Sequence, residues 1–140
     1  MYTLCNFTGQ EFLPPEIWDI EGASGLSHID DRILQTADQV REFFGFPVTI
    51  NNWHTNGPFQ YRGFRTPNCP LYIAGSMHSC GKAIDLDVQG ITAPDVRLKI
   101  MANADKFPFI MRLEKNVPGV HLDIKGIDDI DRESIYLFSA

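Results

Sequence analysis

The chain is poor in long apolar stretches, in positive charge and in cysteine. None of its apolar stretches approaches the ~20 residues that a membrane-crossing helix needs, so no such span is expected. The 12 Lys and Arg are outnumbered by 18 Asp and Glu, for a formal net charge of -6. Nucleic-acid binding through phosphates needs a clustered basic surface, so no nucleic-acid partner is expected. The three cysteines, Cys5, Cys69 and Cys80, are odd in number, scattered and without CxxC spacing. They do not make an even disulfide framework and read as free thiols in a reducing compartment. The first residues, Met1 to Asn6, lack a basic region followed by an apolar run. No secretory signal is therefore expected. The reading is synthesis in the cytoplasm, with something else to deliver the protein if it acts outside. Internal repeats and low-complexity tracts are also missing.

What is present is ordinary globular material. A chain of 140 residues, 44% hydrophobic and 21% charged, suits one domain over residues 1–140. A monomer is expected. Pro14-Pro15 and several glycines make the first 25 residues irregular, with Phe7, Phe12, Leu13, Ile17 and Trp18 apolar enough to pack on the main body. Ser27 with Asp30 resembles a capping box. It opens a helix whose apolar residues Ile29, Ile33, Leu34, Ala37, Val40 and Phe44 recur at three- and four-residue steps, with Gly45 as the stop. Phe46 to Trp53 reads as a strand. Residues 54–75 are full of Pro and Gly, and so long a loop in a small domain is usually functional. Lys82 to Val88 alternates as a half-buried strand. Thr92, Pro94 and Asp95 start a second helix with Val96, Ile100, Met101 and Ala104 on its apolar face. Phe109–Glu114 and Val120–Ile124 form a hairpin, and Ser134–Phe138 adds a short strand. The predicted fold class is α+β: a small, mostly antiparallel sheet with helices packed on one side.

Period-two geometry then collects chemistry on one face. If Met111, Leu113, Val120 and Leu122 line the core, then Arg112, Glu114, His121 and Asp123 share the other face, joined by Asp85 and Asp87. His78 can fold over that face through the Ser79-Cys80-Gly81 turn. Two imidazoles and one carboxylate, His78, His121 and Asp85, make a ligand set used by catalytic zinc, whose fourth position is left to water. Cys80, two residues after His78, is not needed as a ligand. A general base must stand near the water, and Glu114 is the best placed. Asp123 and Asp87 read as partners that hold the ligand rings. Arg62, Arg65 and His54 lie in the long loop; a guanidinium facing the cleft would suit a substrate carboxylate. His28 reads as structural.

These residues resemble a known family. Ser76-x-His78-x-x-Gly81-x-Ala83-x-Asp85 is similar to the SxHxxGxAxD motif of zinc D-alanyl-D-alanine carboxypeptidases, a family that includes D,D-dipeptidases, phage L-alanyl-D-glutamate endolysins and, by fold, the hedgehog signalling domain. Gly119-Val120-His121-Leu122-Asp123 resembles its closing His-x-Asp strand. Tyr61-Arg62-Gly63-Phe64-Arg65-Thr66-Pro67 resembles its Ser-Gly-Tyr-Arg-Ser-Pro segment, and Phe7 to Pro15 the lead-in of phage members. The resemblance implies a hedgehog-like fold and a Zn2+ ion on His78, Asp85 and His121. It also implies Ser76 as a supporting residue, Arg65 at the substrate carboxylate, and hydrolysis of amide bonds in peptidoglycan stem peptides. Many members place an acid three residues before the last His; this chain has Pro118 there, which leaves the base to Glu114. Three functional readings follow: a zinc carboxypeptidase or endopeptidase, a metal-containing binding module without turnover, and a metal-free virion or structural component.

Overall fold

Alternation along Ala83–Val88 produces strand β2, with Ile84, Leu86 and Val88 buried, Asp85 half-buried and Asp87 exposed. A computed structural model describes all of residues 1–140. The other strands are β1 (Val48–Thr49), β3 (Arg112–Glu114), β4 (Val120–Asp123) and β5 (Tyr136–Phe138), in the sheet order β1-β2-β4-β3-β5. All neighbours are antiparallel except β3 and β5, which run parallel. The fold is thus α+β with a mixed, mostly antiparallel sheet.

The helices are α1 (Pro15–Glu21), α2 (Asp31–Phe44) and α3 (Ala93–Ala102). Ile33, Leu34, Ala37 and Val40 of α2 and Val96 and Ile100 of α3 join Ile84, Leu86, Leu113, Val120 and Leu122 in one buried core. These two helices therefore cover the apolar face of the sheet. α1 packs instead on the Gly22–His28 and Gly9–Glu11 turns, and its Glu16 carboxylate accepts from Tyr61 and Thr66 in the long loop.

Two local expectations are corrected. α2 starts at Asp31, because Gly22–His28 forms a 3-10 segment and Asp30, not Ser27, is the N-cap, accepting from the Arg32 N–H at 2.9 Å. Gly45 does end it, in the left-handed conformation. The expected strand over Phe46–Trp53 shrinks to Val48–Thr49. The next edge donor on β2, the Asp85 N–H, is taken by the Arg62 carbonyl at 2.7 Å, so β1 cannot continue along it. α3 begins as its sequence predicts, with the Thr92 hydroxyl accepting from the Asp95 N–H.

Candidate metal centre

Register places the chemistry. Asp85 of β2 pairs with His121 of β4, which pairs with Glu114 of β3, so one row across three strands carries all three side chains. The next row holds Ala83, Asp123 and Arg112. Neighbouring strands lie about 4.8 Å apart, which keeps each row within contact range.

His78 enters from the turn before β2. Ser76 builds that turn: its carbonyl accepts from the Cys80 N–H, and its hydroxyl meets Ser79. Gly81 closes it at φ +71°, where a Cβ would lie 1.8 Å from the His28 carbonyl oxygen, so only glycine fits. The Gly81 carbonyl accepts from the Asp30 N–H at 2.9 Å, tying the turn to the start of α2. The result is a buried His78 ring aimed at the sheet.

Three donor atoms then converge. His78 Nε2 lies 3.2 Å from Asp85 Oδ1, His121 Nδ1 lies 3.0 Å from the same oxygen, and the two nitrogens are 3.3 Å apart. Each ring is held from behind. His78 Nδ1 meets the Gly63 carbonyl at 2.9 Å, and His121 Nε2 meets Asp123 Oδ2 at 2.8 Å. A carbonyl can only accept, so His78 carries its proton on Nδ1 and turns a bare Nε2 inward. His78, Asp85 and His121 could hold a metal ion.

The electrostatics agree. Asp123 is fully buried and also accepts from Arg112 Nη2 at 2.7 Å and Nε at 2.9 Å. Burial raises its pKa, but His121 and Arg112 hold it below the usual carboxylate range. Asp85 is likewise pushed up by burial and pulled well below that range by the two imidazoles. Burial disfavours a charged His121, yet its hydrogen bonds to Asp123 and Asp85 raise it to about 9 in the metal-free chain. Three acceptors facing one another need a cation between them. Without metal, a proton on His121 Nδ1 fills that role.

The hollow over this triangle, about 270 Å³, is lined by Glu114, Arg65, Leu71 and Pro118 together with the three donors. Arg65 donates from Nη2 to Asp85 Oδ2 at 3.1 Å and from Nε to the Tyr61 carbonyl at 2.9 Å. The Glu114 carboxylate forms no hydrogen bond or ion pair within the chain and lines the hollow.

Other expected site residues lie elsewhere. Asp87 holds no ring: it pairs with Arg62 Nη1 at 2.9 Å, because two residues along β2 carry it past His121 to the sheet's other end. His54 is exposed on the Trp53–Thr55 turn beside Trp53 and away from the hollow, since that turn points the loop outward. Cys80 is exposed and stands outside the triangle. His28 stacks on Phe64 and bonds Glu21. Sequence reasoning missed the Gly63 carbonyl, a backbone atom that no side-chain pattern marks. It also missed Phe138, whose ring packs 3.8 Å from the Arg112 guanidinium and edge-on to His121 through the parallel β3–β5 pairing. Compared with protein-family models, curated proteins and solved structures, the chain matches none.

Proposed function

We propose that this chain is a zinc-dependent peptidase that hydrolyses amide bonds in bacterial peptidoglycan stem peptides. The observation that carries the reading is the triangle of His78, Asp85 and His121, opening on a hollow that Glu114 and Arg65 share. Zinc–ligand bonds of about 2.0–2.1 Å at tetrahedral angles separate ligand atoms by about 3.3 Å. The triangle's sides are 3.0, 3.2 and 3.3 Å. Two nitrogens and one oxygen suit zinc, and three protein ligands leave a position for chemistry. The resemblance of Ser76–Asp85 and Gly119–Asp123 to the zinc D-alanyl-D-alanine carboxypeptidase family supports the substrate class and a hedgehog-like fold.

Bound zinc supplies a Lewis acid and lowers the pKa of water to ~7. The chain's own residues do the rest. Glu114, free of internal partners, takes the proton of the attacking water and returns it to the leaving nitrogen. Arg65 fixes Asp85 through Oδ2 and keeps its remaining donors for a substrate carboxylate. Asp123 and the Gly63 carbonyl hold the two rings in the tautomers that ligate.

The test is digestion of purified peptidoglycan with zinc-loaded and chelated protein, followed by mass analysis. Zinc-dependent release of peptides with new amino termini at an alanine amide bond is expected. Zinc uptake and wall binding without new termini would replace this reading with a metal-containing binding module.

A further inference from the structure

One end of the cleft is built around an arginine that the chemistry above leaves unused. Past Arg65 and Asp85 the hollow opens into a larger cleft of about 550 Å³, whose far end is formed by Arg62, Asp87, Phe59 and Gly119. Arg62 is pinned along its whole length. Its N–H donates to the side chain of buried Asn51 at 2.9 Å, and its carbonyl accepts from the Asp85 N–H. Its guanidinium lies 4.1 Å from the Phe59 ring centroid and gives Nη1 to Asp87 at 2.9 Å. The side chain is only 13% exposed.

Gly119 makes this possible. At φ +75° it sits under the guanidinium, and a Cβ there would lie 2.4 Å from Arg62 Nη2. The arrangement leaves Nε and Nη2 with no hydrogen-bond partner in the chain, beside open cleft. A stacked, weakly hydrated guanidinium with spare donors in a fork is a group that binds carboxylates.

Spacing says where that carboxylate belongs. Asp85 and Asp87 are two residues apart on one face of β2. The Arg65 and Arg62 pairs therefore repeat at about 6.6–6.8 Å, the repeat of an extended chain. We propose that the cleft takes an extended peptide running along β2, and that Arg62 binds a carboxylate of that peptide two residues from the bond held over the triangle. The position of the bond rests on the peptidase reading; the carboxylate subsite itself does not.

The experiment is calorimetric titration of the full chain, freed of metal by dialysis against chelator. The probes are paired peptidoglycan stem peptides that differ only by a carboxylate or carboxamide two residues from the alanine amide bond. Wild type should prefer the free carboxylate by on the order of tenfold. Arg62→Ala should lose the preference, and Arg62→Lys, without the fork, should lose most of it. Asp87→Asn removes the negative charge that competes for the Arg62 guanidinium and should tighten carboxylate binding by roughly threefold or more, a gain that a purely structural Arg62–Asp87 pair would not give. Equal binding of the two peptides by wild type, no binding of either, or a preference that survives in folded Arg62→Ala overturns the proposal. Peptidoglycan digestion in parallel separates the two ideas. Preference without cleavage keeps the subsite and removes the peptidase, and cleavage without preference does the reverse.

Discussion

Stripping the metal should give a protein whose stability falls as pH rises from about 6.5 to 9, and the fall should trace to His121. In the metal-free chain the His121 pKa is raised from 6.5 to about 9: burial opposes the charge, and hydrogen bonds to Asp123 and Asp85 overcome it. A pKa raised by folding means that the folded state holds the proton more tightly. The resulting stabilisation is complete below ~6.5 and lost as pH climbs through about 9. The gap is worth roughly 3 kcal/mol. For a domain of this size each kcal/mol moves the melting temperature by about 2–4 °C, so the chelated protein should melt roughly 6–12 °C lower at pH 9 than at pH 6.5.

The metal-loaded protein should behave in the opposite sense. Ligation needs Nδ1 without its proton, so apparent zinc affinity should rise about tenfold per pH unit up to about 9 and then level off. The interval between loaded and chelated melting temperatures should widen with pH. Asp85 and Asp123 titrate far below this window and do not contribute. The assay is a set of paired thermal melts, with zinc and with chelator, from pH 6 to 9.5, repeated on His121→Gln. A flat chelated curve in the wild type, or a slope that persists unchanged in His121→Gln, would refute the assignment of the inner proton to His121.

Three further outcomes concern the site. Purified protein should carry close to one zinc per chain; His78→Ala should lose it and Cys80→Ser should keep it, as metal analysis will report, and substantial loss in Cys80→Ser would mean a different ligand set. Glu114→Gln should bind zinc normally and cleave peptidoglycan about 100- to 10,000-fold more slowly; near-normal turnover would remove Glu114 as the base. Arg65→Lys keeps the charge but cannot serve both Asp85 and a substrate carboxylate, so cleavage should fall on the order of tenfold or more with zinc stoichiometry intact. Unchanged activity there, with Arg62→Lys impaired, would move that role to Arg62.

The row of Asp85, His121 and Glu114 was legible because period two and a hairpin leave little freedom: once Leu113 and Leu122 go inward, their neighbours must share the outer face. The same logic failed for Asp87, since a face assignment says which side a residue is on and not how far along the strand its partners lie. The start of α2 was misplaced because Ser27 and Asp30, three residues apart, fit a capping box that begins at Ser27, although Asp30 is itself a cap residue type. What decides is the Gly81 carbonyl, which takes the Asp30 N–H and fixes the helix end from another part of the chain. The length of β1 was hidden for the same reason, since Arg62, remote in sequence, occupies the edge of β2. The buried acid Asp38 was not visible at all. It reads as one polar residue on an amphipathic helix, yet its carboxylate accepts from Tyr2, Cys5 and Asn6 and anchors the N-terminal segment.

The charges around His121 connect the site's construction to its chemistry. Asp85 and Asp123 flank the ring on the same face, one on each nitrogen, and each is matched by its own guanidinium, Arg65 and Arg112. These pairs cancel locally, which is how two carboxylates stay ionised beside one imidazole in a buried setting. Glu114 is the acid left over, with no arginine of its own. Without metal the hollow is balanced, because the proton on His121 offsets Glu114. A divalent ion held by His78, Asp85 and His121 would displace that proton and leave one net positive charge, which would favour an anionic peptide near Arg65 and Arg62. In the proposed reaction Glu114 is the one carboxylate free to move a proton. The proposed chemistry therefore requires Glu114 to stay unpaired. Supplying it with a partner, by Val117→Arg for example, should leave zinc bound and abolish cleavage; a variant that binds zinc and cleaves at the wild-type rate would show that Glu114 does not need its freedom.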